Sequence, residues 1–233
     1  MVTRVLVVDD SPMIRKIISH IISKDPDLTV FDTASNPFVA RDKIVRLEPD
    51  VLTLDLEMPR MDGLNFLRQL MIYHPMPVVV ISSHTQDGSK WAVAALEAGA
   101  VGVIGKPEEM TEEIETQLIE SIKAASHAKF VRLAHGPSRS AAATGLAHGE
   151  GRMIAIGAST GGPEALRVVL GQMPADAPGI VVVQHMPAYI TKTFADRLDH
   201  DCAIHVKEAE DGERIERGLA LIAPGGLHLR VFR

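Results

Sequence analysis

The chain has 233 residues, of which 46% are hydrophobic, 23% charged and 4% aromatic, which excludes a disordered protein and allows one large domain or two small ones. The net charge of −6 argues against nucleic acid as a partner, because binding to phosphates needs clustered lysine and arginine. The sequence has no signal-peptide pattern and no apolar run near the about 20 residues of a membrane span, so we expect no membrane insertion and a cytoplasmic location.

The first half of the chain alternates short aliphatic segments with amphipathic ones. Strands are predicted at 4–8, 28–34, 51–54, 77–81 and 102–104, and helices at 11–23, 36–47, 63–73, 90–98 and 110–127. With right-handed crossovers, this alternation predicts an α/β fold with a five-stranded, parallel, doubly wound sheet of flavodoxin-like topology. We assign this first domain to residues 1–125.

The composition then changes. Residues 135–151 are rich in Gly, Ala and Ser without an apolar period, which indicates a linker, and we assign 126–151 to it. A second strand–turn–helix pattern begins at Met153. Its strands are predicted at 153–156, 179–183, 203–206 and 220–222, and its helices at 163–170 and around 193–198. We therefore expect a second parallel α/β domain over 152–233.

Polar residues stand at the carboxyl ends of four of the first five predicted strands. Asp9 and Asp10 follow the first strand, Asp55 the third, Ser82 the fourth and Lys106 the fifth. These ends meet at one edge of a doubly wound sheet, where ligands bind. Three carboxylates together favour a hard divalent cation such as Mg²⁺, beside which Asp55 can act as a nucleophile toward a phosphoryl donor.

Each of these residues also has an ordinary structural explanation. Asp9 or Asp10 could cap the helix that begins near Ser11 and Pro12, and Lys106 could belong to a plain loop. Their coincidence at the ends of four strands favours the phosphate pocket.

The motifs VVDDSP, LDLEMPRMDG, VISS and GKP resemble the receiver domains of two-component response regulators over residues 1–125. The resemblance implies that a histidine kinase phosphorylates Asp55. It also implies that Mg²⁺ is bound by Asp9, Asp10, Asp55 and the backbone carbonyl of Glu57.

The same resemblance gives roles to two further residues and shows one departure. Ser82 matches the switch hydroxyl of the family, and Lys106 matches the lysine that binds the phosphoryl group. Where the family commonly has an aromatic switch residue, this chain has Val103. The aromatic part of the switch is therefore not expected here, whereas the phosphate chemistry is.

A second candidate site contains a serine and a histidine. Residues 157–161 fit the G-x-S-x-G pattern of a nucleophile elbow between a strand and a helix, which exposes the Ser159 hydroxyl. Amides at the start of that helix could stabilise an oxyanion. His185 follows the next predicted strand, at the same sheet edge, and could act as the base. A phosphate-binding turn, a tight turn capped by Ser159 and a structural loop histidine are the alternatives.

Several longer motifs of the second half resemble the catalytic domain of the chemotaxis protein-glutamate methylesterases, namely IAIGASTGGPEAL, VVVQHMP, FADRL, VKEAEDGERIERG and IAPGGLHL. The order of receiver, linker and esterase also matches that family. The resemblance implies that Ser159 is the nucleophile and His185 the base. It implies hydrolysis of γ-glutamyl methyl esters on chemoreceptors, with deamidation of receptor glutamines as a second activity and no cofactor for the esterase.

The resemblance also implies partners and regulation. A chemotaxis histidine kinase would be the phosphoryl donor, and methyl-accepting chemoreceptors would be the substrates. The unphosphorylated receiver would cover the esterase site until phosphorylation relieves the block.

One residue of the family pattern has no match in this chain. The family's catalytic aspartate lies well beyond the IAPG motif, and Asp199, Asp201 and Asp211 do not correspond to it. Losing this acid can lower the rate about 10⁴-fold. Because this chain does not match the segment of the family that carries the acid, we also expect an incomplete catalytic domain with an exposed sheet edge and low stability of its own. A non-enzymatic receiver, whose remnant output domain binds receptors or acts as a phosphate sink, is the alternative. A DNA-binding output is disfavoured because the second half lacks a helix-turn-helix pattern and a basic stripe.

Overall fold

The computed structural model describes residues 2–58, 62–82, 86–106, 111–127 and 152–232, with the backbone alone at 82 and 86–88. The chain forms two compact units, Met1–Phe130 and Val131–Arg233. The predicted linker segment 135–151 lies outside the described residues.

The first unit contains a five-stranded parallel sheet with the strand order β2-β1-β3-β4-β5. Its strands are β1 (Thr3–Val8), β2 (Leu28–Ala34), β3 (Val51–Asp55), β4 (Val78–Ser82) and β5 (Gly102–Gly105). Its helices are α1 (Pro12–Ile22), α2 (Pro37–Leu47), α3 (Gly63–Tyr73), α4 (Gln86–Glu97) and α5 (Glu112–Ser126). The predicted doubly wound fold is confirmed, and each strand agrees with its predicted range to within one residue at either end.

Side-chain caps explain why the helices begin so soon after the strands. The Ser11 hydroxyl accepts from the Ile14 amide at 3.4 Å, and the Asn36 carboxamide oxygen accepts from the Val39 amide at 3.0 Å. A proline then occupies the first position of α1 and of α2, where a missing amide loses no helical hydrogen bond. The carboxyl ends of β1 and β2 therefore turn sharply into helices.

Both faces of the first sheet are buried. One face packs against α2, α3 and α4, and its buried residues include Leu6, Leu52, Val80, Ile44, Leu67 and Ala95. The other face packs against α1 and α5, and its buried residues include Val7, Val79, Ile81, Ile21, Leu118 and Ile122. Because helices cover both faces, polar side chains that must work together are placed at the strand ends.

The second unit contains a four-stranded parallel sheet with the strand order β6-β7-β9-β8. Its strands are β6 (Met153–Ala158), β7 (Gly179–Gln184), β8 (His205–Glu208) and β9 (Leu219–Ile222), and its helices are α6 (Gly162–Leu170) and α7 (Ala188–Asp201). The prediction of a second parallel α/β domain is confirmed. β6 lies at an edge of the sheet, and its residues Met153, Ala155 and Gly157 are exposed. The expected low stability of this unit stays a prediction.

Several element boundaries differ from the sequence prediction, including those of α4, α7 and β8. Helix α4 begins at Gln86 instead of residue 90, so it includes Gly88 despite the poor helix propensity of glycine. Helix α7 extends over Ala188–Asp201, well beyond the predicted 193–198. The chain then turns through buried Ile204, so that β8 begins at His205 instead of residue 203.

Across the described parts of the chain, no helix combines the length and the apolar character needed to cross a lipid bilayer.

Candidate functional site

The three aspartates predicted at the edge of the first sheet lie together. Asp9 and Asp55 are 0% and 1% exposed, and Asp10 is half-buried. Each offers a carboxylate oxygen, and these oxygens lie within 4.8 Å of one another. An oxygen cluster of this size suits a hard divalent cation.

Lys106 provides the positive charge beside this cluster. Its Nζ donates a hydrogen bond to Asp55 Oδ2 at 2.7 Å and lies 3.5 Å from Asp9 Oδ2. Burial tends to lower the pKa of Lys106, but the hydrogen bond to Asp55 and the charges of Asp55 and Asp9 outweigh it and raise the pKa. The ammonium group therefore stays charged and lies where it can contact an anion bound to Asp55.

Asp9 is the strained member of the cluster. Burial, and next the charge of Asp55, raise its pKa to about 6, while Lys106 works in the opposite direction. Asp9 Oδ2 is fully buried, and its one partner among the described residues is the Lys106 ammonium group, at the long distance of 3.5 Å. A buried carboxylate oxygen that has only this long contact and faces two other carboxylates fits a metal ligand.

The loops that carry these aspartates are held by hydrogen bonds to their backbone. Arg15 Nη1 donates to the carbonyl oxygens of Asp9 and Asp10 at 2.7 and 3.0 Å. The Glu57 amide donates to Asp55 Oδ1 at 3.1 Å. Sequence reasoning missed Arg15, because it binds backbone carbonyls and these leave no pattern among the side chains.

The remaining predicted residues of the pocket lie at the same edge. Ser82 is the last residue of β4 and pairs with Gly105, directly before Lys106, but its side chain lies outside the description. The Glu57 side chain is exposed, and the predicted role of its backbone carbonyl as a metal ligand stays a prediction. Val103 is partly buried against the core on the α2–α4 face, so the position that is commonly aromatic packs here as an aliphatic residue.

We expect Asp9→Asn to stabilise the metal-free first unit at pH 8. The native state binds a proton at Asp9 more tightly than the unfolded state, so stability falls as pH rises from 3.8 to about 6. At about 1.4 kcal/mol per pKa unit, this loss is about 3 kcal/mol, and asparagine removes it. Urea unfolding with EDTA, followed by fluorescence of the single tryptophan, Trp91 in α4, measures the difference. Equal stability of the two proteins at pH 8 would contradict the repulsion.

The second unit brings Ser159 and His185 to one edge of its sheet. Ala158 and Gln184 are paired last residues of β6 and β7, so Ser159 and His185 leave neighbouring strands at the same level. The His185 amide donates to the Ala158 carbonyl oxygen at 3.0 Å, and both site side chains are exposed. Gly161 has φ of +73°, which favours glycine, and α6 begins at Gly162. This is the strand–turn–helix context that a nucleophile elbow requires.

No acid accompanies His185 among the hydrogen bonds of residues 152–232, and none joins its ring to the Ser159 hydroxyl. The Asp199 carboxylate instead contacts His205 Nδ1 at 2.6 Å and the Val206 amide at 2.7 Å. His205 is the first residue of β8, so this pair lies at the opposite edge of the parallel sheet from Ser159. In catalytic serine–histidine pairs this hydrogen bond is often long before substrate binds, so its absence here is consistent with a pair that forms on binding.

A third loop packs against the histidine segment. It follows β9, and the Gly225 amide donates to Thr191 Oγ1 at 3.3 Å. A Cβ atom at Gly225 would lie 2.4 Å from the Met186 carbonyl oxygen and 2.6 Å from the Ala188 amide nitrogen. Only glycine permits this approach. The PGG sequence after the last predicted strand was the one sequence feature that could have indicated this close packing.

Gly225→Ala should therefore destabilise the second unit by about 1–3 kcal/mol, since the added methyl group meets backbone atoms that cannot rotate away. Gly226→Ala is the matched control for the loss of a glycine in this loop, because a Cβ at Gly226 meets no atom within 4 Å although its φ is +75°. Thermal unfolding followed by circular dichroism measures both. A smaller effect of Gly225→Ala than of Gly226→Ala would show that the close packing is unimportant.

Comparison with known proteins identifies the family of each of the two units. The family described as response regulator receiver domain matches residues 5–118, and the family described as CheB methylesterase matches residues 154–233. The chain is 51% identical over 236 residues to protein-glutamate methylesterase/protein-glutamine glutaminase 2 of Syntrophus aciditrophicus, covering 99% of this chain and 69% of that protein. It is 47% identical over 240 residues to protein-glutamate methylesterase/protein-glutamine glutaminase of Syntrophotalea carbinolica, covering 99% of this chain and 68% of that protein.

A solved structure supports the first unit separately. The response regulator domain of Thermotoga maritima CheB matches with a TM-score of 0.51 at 36% identity, covering 55% of this chain and 99% of that domain. The two units thus define a response regulator whose output domain is a methylesterase. The chain belongs to the CheB methylesterase family.

Proposed function

We propose that this protein hydrolyses γ-glutamyl methyl esters on chemoreceptors and deamidates certain receptor glutamines, under the control of phosphorylation at Asp55. One observation carries the esterase part. Ser159 and His185 directly follow paired residues of neighbouring parallel strands, and the His185 amide is hydrogen-bonded to the residue before Ser159. The names of the relatives, protein-glutamate methylesterase/protein-glutamine glutaminase, supply the substrate class.

In the proposed reaction, Ser159 Oγ attacks the ester carbonyl carbon while His185 takes the hydroxyl proton. Amides at the start of α6 stabilise the negative charge on the tetrahedral intermediate. The intermediate collapses, His185 returns the proton to the leaving oxygen, and methanol departs. Water, deprotonated by His185, then attacks the acyl carbon. The bond from that carbon to Ser159 Oγ breaks, and His185 returns the proton to Oγ, which releases glutamate and the free serine. With glutamine as substrate, ammonia leaves in the first half. This esterase needs no cofactor.

In the proposed switch, the phosphorylated histidine of a chemotaxis kinase gives its phosphoryl group to Asp55. Mg²⁺ held by Asp9, Asp10, Asp55 and the carbonyl of Glu57 would neutralise negative charge during this transfer. Lys106 binds a phosphoryl oxygen, from the place where its Nζ now contacts Asp55. Ser82, at the end of β4, donates to another phosphoryl oxygen as the switch hydroxyl.

The same proposal assigns residues 1–125 to the receiver, 126–151 to a linker and 152–233 to the esterase portion. The unphosphorylated receiver blocks the esterase, and phosphorylation releases it. A kinase that draws on ATP and the signalling domains of receptors are cytoplasmic partners, so we propose a cytoplasmic site of action.

The direct test measures methanol released from chemoreceptors that carry labelled methyl groups. The proposal predicts that the full chain releases methanol and converts methyl glutamate to glutamate. If beryllofluoride and Mg²⁺ bind to the receiver but no methanol appears, the protein is a receiver without esterase activity, as in the alternative function.

A further inference from the structure

Gln184 connects the two segments that carry Ser159 and His185. It is the last residue of β7 and is 5% exposed. Its Nε2 donates to the Ser159 carbonyl oxygen at 3.0 Å and to the His185 carbonyl oxygen at 3.0 Å. One buried amide group therefore holds the backbone of both site residues.

We propose that Gln184 is a positioning residue, which fixes the distance and direction between the serine and the histidine. This inference rests on the proposed function, in which these two side chains react together. Gln184 need not touch substrate, because it acts through the main chain of its two neighbours.

The chemistry of the contact favours glutamine over other side chains of similar size. A carboxamide NH₂ group has two N–H donors, which match two carbonyl acceptors. Glutamate would place a negative oxygen against both carbonyls. Methionine would remove the donor of the His185 carbonyl and leave the Ser159 carbonyl with the Gly162 amide alone, which donates to it at 2.8 Å. Either change removes the one side chain that joins the two segments, so it should let the Ser159 and His185 loops move relative to each other.

The space around the carboxamide supports this orientation. A Cβ atom at Gly162, the first residue of α6, would lie 1.9 Å from Gln184 Oε1, so only glycine leaves room for the group. Oε1 is buried and accepts no hydrogen bond from the described residues, whereas both N–H bonds point at carbonyl oxygens. Exchanging O and N would set three oxygens against one another, so the carboxamide keeps this orientation.

The test compares Gln184→Met and Gln184→Glu in the full chain, with methanol release as the assay. A displacement near 1 Å between reacting groups can lower the rate about 10²-fold, so kcat of Gln184→Met should fall by about that factor while KM changes little. Gln172→Met, at an exposed position after α6, is the control and should keep the kcat of the wild type.

Gln184→Glu adds a readout that a loss of packing would not give. A protonated glutamate has one O–H donor, whereas an ionised glutamate has none. The activity of Gln184→Glu relative to wild type should therefore rise as pH is lowered from 8 to 5.5, whereas the relative activity of Gln184→Met should stay constant. Taking the ratio to wild type removes the titration that all the proteins share.

A kcat of Gln184→Met within about threefold of wild type would overturn the positioning role. So would a flat relative pH profile of Gln184→Glu. Hydrogen exchange at residues 157–162 and 185 tests the bridge without turnover and should be faster in Gln184→Met. A wild-type chain that releases no methanol would instead overturn the proposed function. In that case, hydrogen exchange that is unchanged in Gln184→Met would also show that Gln184 does not hold the Ser159 and His185 segments together.

Discussion

Ser159→Ala should lower kcat/KM for methanol release by about 10²-fold, because the acyl-enzyme route needs the hydroxyl as its nucleophile. The loss is smaller than the about 10⁶-fold of a complete triad, since no described acid supports His185. His185→Gln should have a loss of the same order. Since the two groups act as a unit, the double variant should be little slower than either single one. Initial rates on methyl-labelled chemoreceptor, with thermal unfolding to show that the variants fold, give the comparison.

Two substitutions serve as controls for these changes. Ser19→Ala removes a hydroxyl in α1 of the receiver unit, and His200→Gln removes an exposed imidazole in α7. Both should keep the wild-type rate. If Ser159→Ala retained a tenth or more of the rate, the serine would not be the nucleophile. If instead Ser159→Ala changed no measured property, the alternative of a non-enzymatic receiver with a remnant output domain would be favoured.

Asp55→Asn should abolish phosphorylation, lowering phosphoryl incorporation from radiolabelled acetyl phosphate by more than about 10²-fold. The asparagine nitrogen cannot replace the carboxylate oxygen as a nucleophile, and the hydrogen bond from Lys106 loses its charged acceptor. Binding of beryllofluoride with Mg²⁺ should be lost in the same variant.

Asp42→Asn is the matched control, because Asp42 is an exposed carboxylate of α2 that contacts Arg41 only on the surface. It should incorporate phosphoryl groups as the wild type does. Unchanged beryllofluoride affinity of Asp55→Asn would move the phosphorylation site to another residue, and equal losses in the two variants would point to a general effect of charge.

The strands and the polar residues after them were predictable for one physical reason. A parallel sheet covered by helices must be aliphatic along its strands, so Asp9, Asp55 and Lys106 stand out directly after such runs. The same reasoning placed Ser159 and His185 after β6 and β7. Short, continuous apolar segments therefore carried most of the information about where the sites lie.

The features that sequence reasoning missed depend on contacts with the backbone or on the order of the strands in the sheet. Arg15 and Gln184 bind carbonyl oxygens, and any residue type presents a carbonyl, so no pattern reveals the partner. Gly225 is needed because main-chain atoms of the histidine segment pass close to it. The order β7-β9-β8 was not predicted, because the apolar pattern that reveals a strand does not say which strand lies beside it.

The central claim is that phosphorylation at Asp55 controls hydrolysis at Ser159. The most direct measurement is the initial rate of methanol release by the full chain with Mg²⁺, in the presence and absence of beryllofluoride. Coupling between sites of this kind is typically 5-fold or more, so we expect the wild-type rate to rise by about that factor while Asp55→Asn does not respond. An equal rate with and without beryllofluoride, or an equal rise in both proteins, would contradict the account.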